Sequence, residues 1–148
     1  MDTSTARNIA HSIHGDQRDR TGGLMVEHLE RVAAAVPPEA RPVAFLHDVL
    51  EHSDTQASEL EREGLTPVEL AALNLLTREP DESFEIHALR IAYAKGPEGA
   101  LARVVKVADI DDHLVHHGQP MPPRAYGWAR RHVVRCHDSL DAPVPQTV

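Results

Sequence analysis

The sequence is poor in cysteine, in positive charge and in long apolar runs, and each shortage argues against a class of protein. Its single cysteine, Cys136, cannot form an intrachain disulfide, which fits a reducing compartment. A formal charge of −8 argues against general electrostatic attraction to nucleic acid or to an anionic membrane. No apolar run approaches the length of a membrane span, and the N-terminus carries no signal-peptide apolar region. We therefore expect a cytoplasmic protein with neither kind of partner.

The composition is that of one globular domain. The chain has 148 residues, of which 41% are hydrophobic and 26% charged, so it is long enough to bury a real core. We expect this domain to cover residues 1–141 and a Pro-rich, flexible tail to cover residues 142–148. The eleven histidines are many for a chain of this size and make a metal site worth testing.

The spacing of apolar residues predicts helices throughout, with no strand pair and no internal repeat. Gly, Pro and charged loops separate the helical segments, so we expect an all-α, compact multi-helix bundle. The predicted helices cover residues 6–14, 25–35, 43–52, 56–63, 66–78 and 84–94, a long segment from about 98, and residues 124–140.

The predicted helix over residues 43–52 is apolar nearly all round, yet it carries His47 and Asp48 in its middle. An ionised carboxylate buried without a partner costs several kcal/mol, roughly, so this pair requires an explanation. A divalent first-row metal is the most economical one, because it binds both imidazole nitrogen and carboxylate oxygen.

Two other helices place similar residues at apolar positions, His28 in one and Asp109 in the other. Facing helices of a bundle can hold a metal between such side chains. The predicted ligands are His28, His47, Asp48 and Asp109. A second interpretation stays open, in which Asp48 and Asp109 are buried ion-pair partners of Lys106 or of an arginine.

Carboxylates one helical turn away are candidates for taking a proton from water. Glu51 follows His47 by four positions, and Asp112 follows Asp109 by three, so each lies on the same side of its helix as a predicted ligand. The alternative is that neither residue is catalytic: Glu51 is then a surface residue at a helix end, and Asp112 belongs to a solvated acidic face.

Four separate motifs, in order, resemble those of HD-domain metal-dependent phosphohydrolases, and within them the small alarmone hydrolases of RelA/SpoT type. HGDQ at residues 14–17, with TGG at 21–23 and then His28, resembles the opening motif of that family. LHDVLE at residues 46–51 resembles its HD motif, and LTR at 76–78 its next segment. KVAD at residues 106–109, followed by Asp112, resembles its last motif. The resemblance covers residues 11–114.

This resemblance implies an HD-domain bundle with a central buried metal, with Mn²⁺ as the expected ion. It also implies hydrolysis of a small-molecule nucleotide, namely removal of the 3′-pyrophosphate of (p)ppGpp, with Glu51 positioning and activating the attacking water. The residues expected to bind the substrate are Arg18, Arg20, Arg78, Lys106 and His113. For Arg78 the alternative is a helix-end charge, and for Lys106 it is neutralisation of the site.

Several positions depart from the family pattern. His52 stands where the second acidic residue of the HD motif is expected and is a further catalytic candidate. His113 stands in place of an asparagine, His87 in place of an aromatic residue, and Asp19 where an arginine is expected. The metal ligands are thus intact while the nucleotide contacts differ. Two alternatives follow: a hydrolase of another nucleotide or phosphate ester, and a catalytically weak, nucleotide-binding HD module.

Overall fold

A computed structural model describes residues 1–19, 21–116 and 123–140 of the chain. Arg20 and the predicted tail over residues 142–148 lie outside the described residues. Nine α-helices and one 3₁₀ turn occupy the described part. They are α1 (Thr3–His14), α2 (Met25–Ala34), the 3₁₀ turn (Pro38–Ala40), α3 (Arg41–Leu46), α4 (Val49–His52), α5 (Ala57–Arg62), α6 (Pro67–Leu76), α7 (Phe84–Tyr93), α8 (Gly96–His116) and α9 (Pro123–Leu140).

The all-α prediction is confirmed: the only extended pairing among the described residues is an isolated bridge between Arg18 and Leu24. Side-chain caps explain where several helices begin. Asp2 accepts a hydrogen bond from the amide of Thr5 at 3.0 Å, so α1 starts three residues earlier than predicted. Thr66 caps α6, with Pro67 at the first helical position.

Helix α8 lies at the centre and packs against α2, α6, α7 and α9. Buried residues from helices α1 to α8 form the main core, among them Ala10, Leu29, Val43, Leu46, Leu73 and Val105. Each large aliphatic side chain buried in this way stabilises the fold by roughly 1.5–3 kcal/mol. A second cluster joins Phe84, Ala88, Ile110, Tyr126 and Ala129, and so seats α7 and α9 against the far end of α8. Both clusters border the region where the predicted ligands lie.

The helix predicted over residues 43–52 is interrupted at His47 and Asp48, which form a turn between α3 and α4. The reason is local. Nδ1 of His47 donates a hydrogen bond of 2.7 Å to the carbonyl of Ala44. In an unbroken helix that carbonyl would accept from the amide of residue 48. At this turn the side chains of His47 and Asp48 lie on the same side of the backbone.

Candidate metal centre

Three segments bring the four predicted ligands together. His28 comes from α2, His47 and Asp48 from the turn between α3 and α4, and Asp109 from α8. Nε2 of His28 lies 3.4 Å from Nε2 of His47 and 3.3 Å from Oδ1 of Asp109. Nε2 of His47 lies 3.4 Å from Oδ2 of Asp48 and 3.6 Å from Oδ1 of Asp109. Nε2 of His28 is also 4.0 Å from Oδ2 of Asp48, so potential ligand atoms of all four residues lie close together.

The donor set fits a divalent metal. Two ligand atoms that are each about 2.1 Å from one ion lie roughly 3.0–3.4 Å apart, close to the separations observed. Both imidazoles are also held in the tautomer that a metal needs. Nδ1 of His28 lies 2.7 Å from Oδ2 of Asp112, and Nδ1 of His47 bonds the Ala44 carbonyl. When either ring is neutral, Nδ1 therefore keeps the proton, and Nε2 can offer its lone pair to a metal.

The electrostatics of the cluster without a metal favour charged groups. Burial opposes protonation of His28, but hydrogen bonds to Asp109 and Asp112 outweigh it and raise its pKa to about 10. Burial likewise opposes protonation of His47, and the neighbouring Asp48 and Asp109 raise its pKa. Burial opposes ionisation of Asp109, yet Lys106 and the imidazoles hold its pKa well below the usual range. A metal ion would therefore enter by displacing protons from histidine.

Asp112 lies on the opposite edge of the His28 ring from the other three predicted ligands. Besides the bond to Nδ1 of His28, its carboxylate accepts two hydrogen bonds from Arg31, at 2.7 and 3.1 Å. It is buried and does not line the cavity described below. Sequence reasoning missed Arg31, although it stands three positions after His28 on α2, where its side chain can reach the same neighbours.

The ion pair between Lys106 and Asp109, raised as an alternative to metal binding, is present. Nζ of Lys106 lies 2.8 Å from Oδ2 of Asp109. The imidazoles approach the other oxygen, Oδ1. The two interpretations are therefore compatible, because one carboxylate oxygen can pair with the lysine while the other faces the ligand cluster.

Glu51 and His52 lie at the rim of the cluster, nearer to solvent. Oε2 of Glu51 accepts a hydrogen bond of 3.3 Å from the backbone amide of Arg78. Nε2 of His52 lies 4.0 Å from Oδ1 of Asp48 and 4.0 Å from Oε1 of Glu51, and its side chain is half exposed. Both residues can contact a water or a ligand in the adjoining cavity.

That cavity has a volume of about 700 Å³ and opens directly above the cluster. It is lined by Arg18, Arg78, Lys106 and His113, four of the five residues predicted to bind substrate; the fifth, Arg20, lies outside the described residues. The other lining residues were not among the predicted substrate-binding residues; they include Gln17, Met25, Leu76, Phe84, His87 and Tyr126.

One wall of the cavity is aromatic. Tyr126 from α9 is stacked on His113, with ring centroids 5.5 Å apart and planes at 18°. Phe84 meets Tyr126 edge to face at 5.3 Å. Tyr126 is buried in the second core cluster, and it also lines the cavity. Sequence reasoning could not assign it both roles, because nothing in the spacing of α9 reveals what that helix covers.

His87 contributes a neutral polar group to the same cavity. Its Nδ1 lies 3.0 Å from a carboxylate oxygen of Glu82, which Arg90 also contacts. Burial, reinforced by the nearby Lys106, lowers the pKa of His87 to about 4 despite the Glu82 carboxylate.

Comparison with solved structures shows that the chain shares its fold with a protein of known structure. The chain is similar to the structure of a metazoan ortholog of SpoT, a protein that hydrolyses ppGpp and plays a role in starvation responses. The TM-score is 0.68 at 18% sequence identity, and the alignment covers 95% of this chain and 87% of that one. No protein-family model matches the sequence, and no curated protein matches it either. The resemblance predicted from the motifs is thus confirmed in the fold.

None of the helices in the described ranges is both long and apolar enough to cross a membrane.

Proposed function

We propose that this protein is a metal-dependent phosphohydrolase that acts on a nucleotide, with (p)ppGpp as the first substrate to test and its 3′-pyrophosphate as the group removed. The observation that carries the proposal is that side chains of His28, His47, Asp48 and Asp109 lie close together beside a cavity lined by cationic side chains. The shared fold with a protein that hydrolyses ppGpp supports the same conclusion. An acidic protein needs such local positive charge to hold an anionic ligand.

The residues around the cluster have complementary roles in this proposal. A divalent ion, Mn²⁺ being the one expected from the motifs, would polarise a phosphoryl oxygen and acidify a water when bound by the four ligands. Glu51 takes the proton from the attacking water as its oxygen bonds to phosphorus. The bond between phosphorus and the 3′ oxygen then breaks, and that oxygen leaves as a hydroxyl after taking a proton from water. Arg18, Arg78 and Lys106 bind the phosphates.

In the same arrangement, the aromatic wall of the cavity binds the nucleoside part of the substrate. Tyr126, Phe84 and Leu76 offer an apolar surface on which a base can pack, and such surfaces are typical of small-molecule sites. The neutral imidazole of His87 offers a polar contact beside it.

A screen for released phosphate or pyrophosphate, across nucleotides and with added Mn²⁺, tests the proposal. Glu51→Gln should abolish turnover while metal stays bound, because the amide keeps the shape of the side chain but cannot accept the proton. Glu85→Gln, at an exposed position on α7 outside the cavity, is the matched control. Full turnover by Glu51→Gln would remove Glu51 from the mechanism.

The same screen separates the two alternatives. Turnover of another nucleotide, with none of ppGpp, would keep the phosphohydrolase and change its substrate. Bound metal without turnover of any nucleotide would indicate a binding module. The half-exposed His52 imidazole, 4.0 Å from Oε1 of Glu51, is the feature that favours this second outcome, since it occupies space near the proposed base.

A further inference from the structure

We infer that His113 is a third imidazole ligand of the metal centre, and that it shifts the centre of this chain towards nitrogen-preferring ions such as Zn²⁺ relative to Mn²⁺. The inference rests on the proposed function only in assuming a metal at the four residues already described. Its basis is that one ligand atom from each of His28, Asp109 and His113 lies within 4.8 Å of the others. Nε2 of His113 is 3.2 Å from Oδ1 of Asp109.

The fold delivers the His113 ring to the cluster. His113 follows Asp109 by one helical turn on α8, so both side chains leave the same face of that helix. The ring is held between two others: its centroid is 5.0 Å from that of His28, and it stacks on Tyr126 from α9. Packing therefore fixes the orientation of the imidazole before any ion is bound.

The crowding around one oxygen atom points to a shared cation. Nε2 atoms of three imidazoles approach Oδ1 of Asp109, at 3.3 Å from His28, 3.6 Å from His47 and 3.2 Å from His113. A carboxylate oxygen has two lone pairs, so it cannot accept good hydrogen bonds from all three. An ion among these atoms satisfies all of them at once.

The chemical consequence concerns which metal is preferred. Carboxylate oxygens suit Mn²⁺, whereas each added imidazole favours Zn²⁺ and similar ions. Three imidazoles with two carboxylates form a donor set richer in nitrogen than His28, His47, Asp48 and Asp109 provide alone. In the alternative, outer role, His113 does not bind the metal: its Nε2 keeps a proton and donates a hydrogen bond to Asp109.

The protonation of Nε2 distinguishes these roles, and NMR reads it directly. Protein labelled with ¹⁵N at histidine is freed of metal with a chelator and titrated with Zn²⁺. We expect Nε2 of His28, His47 and His113 all to show the shift of a metal-bound imidazole nitrogen. If His113 keeps a proton on Nε2 while the other two shift, this inference is wrong and the proposed centre stands. If none of the three shifts, the centre itself is refuted.

Competition between metals gives a second, independent readout. In His113→Asn, affinity for Zn²⁺ should fall about 10-fold more than affinity for Mn²⁺, since an imidazole ligand is lost. His132→Asn on α9, outside the cavity, should leave the ratio unchanged. An equal loss for both metals would assign His113 the outer role. Should His113→Asn not fold, the NMR count on the unaltered protein still decides.

Discussion

Replacing Asp112 with asparagine separates two roles for this carboxylate, positioning of a metal ligand and acceptance of a proton from water. Its oxygens are bonded to Nδ1 of His28 and to the guanidinium of Arg31, and its side chain is almost inaccessible. We expect Asp112 to fix the His28 ring so that Nε2 faces the ion. The asparagine variant should therefore bind metal about 10- to 100-fold more weakly, which is the usual cost of losing such a partner.

The stability of the variant should fall as well, by an amount that the burial of each partner sets. Arg31 is about one-third exposed, so water can solvate its charge when the ion pair is lost. The ion pair between Arg31 and Asp112 therefore contributes little to the free energy of unfolding. The bond to the buried His28 dominates, and a hydrogen bond to a charged group is worth about 1.5–3 kcal/mol. Urea unfolding of the metal-free protein should show a loss in this range.

Metal titration, unfolding and turnover at saturating metal together test this reasoning. The variant should recover much of its turnover once metal is saturating, because the proton acceptor is a different residue. Loss of turnover with unchanged metal affinity would contradict the positioning role and return Asp112 to the catalytic role that its sequence spacing suggested. Arg31→Ala is the companion variant, and it should weaken metal binding less than Asp112→Asn does.

His47→Ala should reduce bound metal to near zero and abolish the rise in melting temperature that Mn²⁺ gives; metal content equal to that of the unaltered protein would remove the site. Because the pKa of His28 is raised to about 10 without metal, metal binding near pH 8 should release protons, which calorimetry in buffers of different ionisation enthalpy measures. The same raised pKa stabilises the metal-free fold fully below pH 6.5, and this contribution should be lost as the pH rises through about 10. Gly99→Ala should destabilise the fold by about 1–3 kcal/mol in urea, since its Cβ would clash with the Ala94 carbonyl oxygen. Gly127→Ala, whose Cβ would make only an ordinary contact, should be neutral or stabilising, and equal losses in both variants would contradict the steric argument.

The helices were predictable because apolar spacing and capping residues are local signals. Thr66 with Pro67 marks the start of α6, and the apolar run over residues 104–110 marks a helix buried on most sides. The proximity of the predicted ligands could also be predicted from the sequence. A charged or imidazole side chain in an apolar helix requires a partner, so His47 and Asp109 indicated their own proximity.

Other features depend on contacts that no local pattern encodes. The break at His47 coincides with a bond from the imidazole to the carbonyl of Ala44, whereas the flanking sequence has the pattern of a continuous helix. The pairing of Arg31 with Asp112 joins residues 81 positions apart. The aromatic wall depends on how α9 packs against α7 and α8, which the amphipathic pattern of α9 does not specify.

A metal held between α2, the turn after α3, and α8 would act as a cross-link in a chain that can form no disulfide of its own. It closes the chain from residue 28 to residue 109. In a covalent cross-link, closure of a loop of roughly 80 residues is worth about 4.5 kcal/mol through the unfolded state. Unlike a disulfide, this link is reversible and depends on the concentration of an ion. The amount of folded protein in a cell, and its survival against proteases, would then follow the supply of that ion.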